Sequence, residues 1–183
     1  MDYAKLFDAM HPGFFESPGI RNLDEGDVFE ELVMDLRTKT PVPAPHACPG
    51  QFTFGVYGGD IGPLREAVAL VDDDWVQYFH ARDRVFCAFD GDRIAAFCIL
   101  SDWGTHGGLR IGGPGCVGTV PAFRRRGIGL EMVRCATVIL QESGFDLSWI
   151  HFTHVGRWYE RLGYRPVLQW NRSGWLDLHA EAD

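Results

Sequence analysis

The stretch Val117-Gly118-Thr119-Val120-Pro121-Ala122-Phe123-Arg124-Arg125-Arg126-Gly127-Ile128-Gly129 decides how this 183-residue chain is read. It ends a glycine-interrupted apolar run that begins at Arg110, turns at Pro121, and opens the most regular amphipathic segment, Gly127–Ser143. In that segment Met132, Val133, Ala136, Ile139 and Leu140 recur at helical spacing, and Gly144 supplies a stop. A helix start leaves about four backbone N–H groups without intrahelical partners and carries roughly half a positive charge. Arg124, Arg125 and Arg126 add cations at that point. Gly127 and Gly129 remove side chains where an anion's oxygens would approach the amides. Each costs about 1 kcal/mol relative to alanine in a helix. The combination predicts an anion site suited to phosphate.

The flanking sequence supplies the frame. Val85–Phe89 and Ile94–Leu100 read as a hairpin around Asp90-Gly91-Asp92, and Arg110–Val120 as a third strand. Leu147–Phe152 reads as a buried strand, followed by a short helix to Leu162 that Gly163 closes. Tyr164–Trp170 and Trp175–Leu178 finish the chain as strands. Upstream, Tyr3–Met10 is weakly helical. Asp24 resembles an N-cap for an amphipathic helix carrying Val28, Phe29, Leu32, Val33 and Leu36. Thr40–Gly59, rich in proline and glycine, is expected to be an irregular loop. Pro63 opens a short helix through Leu70. The triplet Asp72-Asp73-Asp74 reads as a solvated turn, with an attractor for a cationic substrate as the lesser alternative. Antiparallel strands feeding a strand–helix–strand unit imply an α+β fold, a mixed sheet covered by helices.

Composition narrows the function. The chain is 46% hydrophobic and 23% charged, with a formal net charge of −8. That balance argues against nucleic acid as the main partner, since phosphate backbones reward basic surfaces. No apolar run approaches the roughly 20 residues of a membrane span, and Met1–Lys5 lacks the features of a signal peptide, so a cytoplasmic protein is expected. The five cysteines are scattered, without a CxxC pair. Cys87, Cys98 and Cys135 are expected as reduced core residues. His151-x-x-His154 lacks a third ligand, and on a strand its side chains face opposite ways, so no metal is expected. Gly113, Gly115 and Gly118 spell Gly-x-Gly-x-x-Gly, but Thr119-Val120-Pro121 follows where a dinucleotide site needs a helix.

Arg-x-x-Gly-x-Gly at Arg124–Gly129, after a strand and Val-Pro, resembles the acetyl-CoA motif of the GNAT superfamily of N-acetyltransferases. Trp158-Tyr159-Glu160-Arg161-Leu162-Gly163-Tyr164 is similar to the family's "FYEKLGF" segment, one helix and one strand downstream, as that family requires. The resemblance implies a GNAT-like fold over residues 20–183, preceded by an N-terminal extension over 1–19. Such a fold has a central, mostly antiparallel, splayed sheet of about six to seven strands flanked by about four helices. It implies that acetyl-CoA is the co-substrate, its pantetheine arm pairing with backbone at Val117, Gly118 and Thr119. The pyrophosphate would rest on amides from Arg124, Arg125 and Arg126 to Gly127, Ile128 and Gly129. The acceptor would be a primary amine of a small molecule or peptide, and the protein a monomer or homodimer.

Acyl transfer to an amine needs a neutral nucleophile, and an amine with pKa near 10.4 is neutral only about once in a thousand molecules at pH 7. A base must take the proton. GNAT relatives often carry a glutamate for this on the fourth strand; Arg110–Val120 has no carboxylate and holds Cys116. His151 and His154, flanking the end of the fifth strand, are the candidate bases, with plain packing or loop roles as the alternative; His106, Asp102 and the terminal carboxylates are weaker options. Tyr159 is the candidate acid for the departing thiolate. A covalent route through Cys116 is a further option. A non-catalytic acyl-CoA sensor of the same fold is the rival reading.

Overall fold

The computed structural model describes residues 1–44 and 48–177. Chain order runs α1 (Tyr3–Met10), α2 (Pro18–Arg21), β1 (Phe29–Asp35), β2 (Phe52–Val56), α3 (Ile61–Ala69), β3 (Val85–Asp90), β4 (Arg93–His106) and β5 (Leu109–Thr119). It continues with α4 (Ile128–Glu142), β6 (Leu147–Thr153), α5 (Gly156–Glu160), β7 (Arg165–Asn171) and β8 (Gly174–Leu176). One-turn 3-10 segments at Phe14–Glu16 and Pro121–Phe123, and a longer one at Asp73–Tyr78, fill the connections. Among the described residues there are thus eight strands and five α-helices, one strand and one helix beyond the upper expectation.

All eight strands form one sheet, ordered β2-β3-β4-β5-β6-β1-β7-β8. Neighbours are antiparallel except β5 and β6, which run parallel. The expected hairpin is β3–β4, turning at Gly91 with φ 60°. Asp72, from the acidic triplet, caps the 3-10 segment by accepting the Asp74 N–H.

Two expectations fail. The segment carrying Val28 to Leu36 is not a helix but strand β1, inserted between β6 and β7. Leu32, Val33 and Met34 are all buried, because both faces of this strand are covered. A strand apolar on both faces loses its period-two signature, and its spacing then mimics a helical stripe. The stretch Thr40–Gly59 contains β2, paired with β3 from Phe52↔Asp90 to Val56↔Phe86. Residues 45–47 of that stretch, and Leu178 at the end of the last expected strand, lie outside the described residues.

The alternation of β1 and β6 sorts their side chains by face. Leu32, Met34 and Ile150 join Met132, Val133, Ala136 and Leu140 of α4 in the main core. Val33, Leu147 and Trp149 pack on the other side against Leu6 and Phe7 of α1. Residues 1–19 therefore close one face of the sheet, with Phe7 wholly buried.

Candidate active site

Helix α4 begins at Gly127, whose φ of 73° is left-handed and suits glycine. Among the described residues the first hydrogen bond into the helix runs from the Glu131 N–H to the Gly127 carbonyl at 3.1 Å. The amides just upstream of Glu131 have no intrahelical acceptor to meet. Gly129 is demanded by close approach: a Cβ there would sit 2.5 Å from Thr119 Oγ1. Helix and strand thus meet tightly at the mouth of a cavity of about 230 Å³, lined by Thr119, Arg124, Arg125, Gly127, Ile128, Gly129 and Trp158 among others. Arg124 Nε donates to the Thr119 carbonyl at 3.0 Å, which ties the arginine loop to the strand end. Arg126 lies over the Phe123 ring at 5.9 Å and does not line the cavity. Unpaired amides, a helix dipole and three arginines (Arg124, Arg125 and Arg161) at one opening fit a diphosphate.

Beside this cavity the sheet opens. Strands β5 and β6 pair only at Ile111↔Leu147 and Gly112↔Ser148. Gly113 still packs against the Trp149 backbone; past it Pro114–Thr119 pairs with β4 alone and Ile150–Thr153 with β1 alone, so the ladder between β5 and β6 is open there. Each border of the gap carries a β-bulge. On β5, Gly115 faces Ile99 and Gly118 faces Phe97, so Cys116 and Val117 together oppose Cys98. On β6, Thr153 faces Glu30 and Ile150 faces Leu32, so His151 and Phe152 together oppose Glu31. Cys116 and Phe152 adopt φ of 47° and 57°, and Arg125 at the cavity 62°. No other non-glycine residue among those described is left-handed. Such positions cost of order 1–3 kcal/mol and cluster where function demands them.

Residues 81–166 match the family model of the acetyltransferase (GNAT) domain. Over that stretch the chain is similar to a GNAT domain. The fold is similar to a GCN5-related glucosamine N-acetyltransferase region of a fungal multi-domain GH3 β-N-acetylglucosaminidase (TM-score 0.64, 19% identity, covering 80% of this chain and 20% of that one). It is also similar to GCN5-related N-acetyltransferases from Sphaerobacter thermophilus (TM-score 0.59, 20% identity, 78% and 49% covered) and Kribbella flavida (0.53, 20%, 85% and 60%). At these identities the likeness speaks for the fold. The chain spans between a fifth and three fifths of the length of these structures. No curated protein matches the sequence significantly.

Within the matched stretch, α5 brings Tyr159 into the main core, 6% exposed, with Cys116, Val117 and Trp158 packed against the same cluster. Burial, first, raises the Tyr159 phenol well above its usual range, with Cys98, Tyr164 and Cys116 adding to the shift. The phenol therefore keeps its proton near neutrality. The one buried side-chain N or O without a partner among the described residues is His11 Nε2. The Tyr159 hydroxyl makes no hydrogen bond among the described residues. Cys116 is pushed up to about 11, mainly by burial and then by Asp72, so the thiol is protonated at neutral pH. That disfavours it as a nucleophile.

The two candidate histidines part company. His154 follows β6 and lines a separate cavity of about 500 Å³ with Glu30, Arg157, Trp158 and Gln169. His151 lies on the α1 face, and its side chain is 23% exposed. Its Nδ1 stands 3.0 Å from Glu31 Oε2. Glu31 is fully buried and also accepts from Trp149 Nε1 at 2.7 Å, Trp170 Nε1 at 2.8 Å and the Phe152 N–H at 3.1 Å. The bulge makes this possible by turning the Phe152 amide toward the carboxylate. Glu31 escaped the sequence reading; its one signal was the pair Glu30-Glu31 between Phe29 and the apolar run Leu32–Met34. Of the weaker options, Asp102 is held by Arg110 at 2.8 Å and His106 Nε2 lies 2.7 Å from the Trp103 carbonyl.

Proposed function

We propose that this chain transfers an acetyl group from acetyl-CoA to a primary amine of a small molecule or peptide, by direct transfer. The observation that carries the reading is a phosphate-fitting helix start beside a sheet gap bordered by two left-handed bulges. A splayed strand edge offers unpaired backbone groups to an extended chain such as pantetheine, much as it would to a peptide. Val117, Gly118 and Thr119 are assigned to that arm, and Arg124, Arg125, Gly127, Ile128 and Gly129 to the diphosphate.

In the proposed reaction His151 Nε2 takes a proton as the amine nitrogen attacks the thioester carbonyl. The C–N bond forms, the C–S bond breaks, and the departing thiolate takes the Tyr159 phenol proton. The products are the amide and coenzyme A. The geometry supports His151 over His154 as base, because a carboxylate holds one ring nitrogen and leaves the other unbonded. The five free thiols favour a reducing compartment, so we place the activity in the cytoplasm.

The test is titration calorimetry with acetyl-CoA, followed by release of free coenzyme A thiol with a panel of amines. Micromolar binding with amine-dependent release supports the proposal. Binding without turnover on any amine favours the sensor, and no binding sinks both.

A further inference from the structure

We infer that Glu31 is a positioning residue for catalysis: it holds His151 with Nδ1 protonated, leaving Nε2 bare to receive the acceptor's proton. The inference rests on the assignment of His151 as base. It starts from the electrostatics of Glu31. An ionised carboxylate removed from water carries a penalty of several kcal/mol unless fully hydrogen-bonded. Here three of the four donors are fixed: two indole N–H groups and one backbone amide can donate and do nothing else. No lysine or arginine joins them among the described residues. A purely structural hub for fixed neutral donors has no need of a charge. The fourth partner, His151, alone among them can gain or lose a proton.

A carboxylate at Nδ1 does two things for an imidazole. It selects the tautomer with the proton on Nδ1, and it stabilises the imidazolium that forms when Nε2 takes a proton. The surroundings leave Glu31 that role alone. The titratable groups facing the ring are Glu31 from β1 and His11 from the end of α1, with His106 from β4 in electrostatic reach of His11. The remaining neighbours, Phe7, Phe14, Trp103 and Phe152, are uncharged rings. The β6 bulge locks the arrangement, since the Phe152 amide, freed from the ladder, binds the same carboxylate.

The test combines ring-nitrogen NMR of the unmodified protein with kinetics of two variants. With His151 neutral, the expected signal is a protonated Nδ1 and a bare Nε2; a proton on Nε2 overturns the inference whether or not any variant folds. Glu31→Gln should lower kcat by about 10²-fold or more, with KM for acetyl-CoA little changed, and should shift the tautomer. His151→Ala should lower kcat similarly, and the double variant should be no worse than either single one. A folded Glu31→Gln at full kcat beside an inactive His151→Ala refutes only the positioning role. His151→Ala at full kcat refutes the base assignment itself, and the inference with it.

Discussion

His11 lies face to face with His151, ring centroids 4.4 Å apart and planes 13° from parallel. Burial, then the neighbouring His151, lowers the His11 pKa to about 4, against a weaker opposing pull from Glu31 and a further push from His106. Between pH 6.5 and about 4 the unfolded chain therefore binds a proton that the folded protein refuses. Stability falls as pH drops through that window, and it is fully present above it. The loss should be about 2 kcal/mol once solvent exposure is allowed for. Urea unfolding of the protein and of His11→Phe at pH 7 and pH 4.5 checks this. The variant should lose less stability on acidification, and an identical loss in both would contradict the assignment.

Gly127 offers a clean probe of the anion site. Its left-handed φ is tolerated by asparagine and aspartate better than by other residues, so Gly127→Asn reports strain and Gly127→Asp reports strain plus charge. The aspartate variant should bind coenzyme A at least about tenfold more weakly than the asparagine variant, a difference of about 1.4 kcal/mol. Equal Kd values by calorimetry would remove the diphosphate from this helix start.

The contact between Gly129 and Thr119 predicts a coupled pair. Gly129→Ala sets a methyl 2.5 Å from Thr119 Oγ1 and should destabilise the fold by about 1–3 kcal/mol. Thr119→Ala removes the obstructing atom, so the double variant should recover most of that loss. A thermodynamic cycle with no coupling would mean that the helix slides away from the strand instead.

Tyr159→Phe removes only a hydroxyl that has no hydrogen bond among the described residues, so the fold should keep its stability within about 0.5 kcal/mol. Turnover should fall by about 10²-fold while the Kd for acetyl-CoA stays within twofold, as expected for a proton donor. Unchanged kcat would take the phenol out of the reaction.

What could be read from sequence was local. The cavity at the start of α4 is assembled mostly within residues 119–130, with Ala44, Trp158 and Arg161 added from elsewhere, so its strand end, turn and helix start stand side by side in the chain. The β3–β4 hairpin and α4 were legible for the same reason. Glu31 was not, because its partners Trp149, His151 and Trp170 lie more than a hundred residues away, and only the insertion of β1 unites them. The same insertion hid β1 as a strand, since cover on both faces erased its alternation. β2 was masked by the prolines and glycines around it, and its pairing with β3 is decided by tertiary context that no local propensity encodes.

The place of β1 between β6 and β7 also governs how the molecule is made. Phe29–Asp35 leaves the ribosome more than a hundred residues before its neighbours on both flanks, residues 147–153 and 165–171. Until they follow, Phe29, Leu32, Val33 and Met34 have no partner strand to cover them, and closing so long a loop is slow. The nascent chain therefore passes through an interval with that apolar surface uncovered and prone to aggregation, and the sheet closes only once β6 and β7 have emerged.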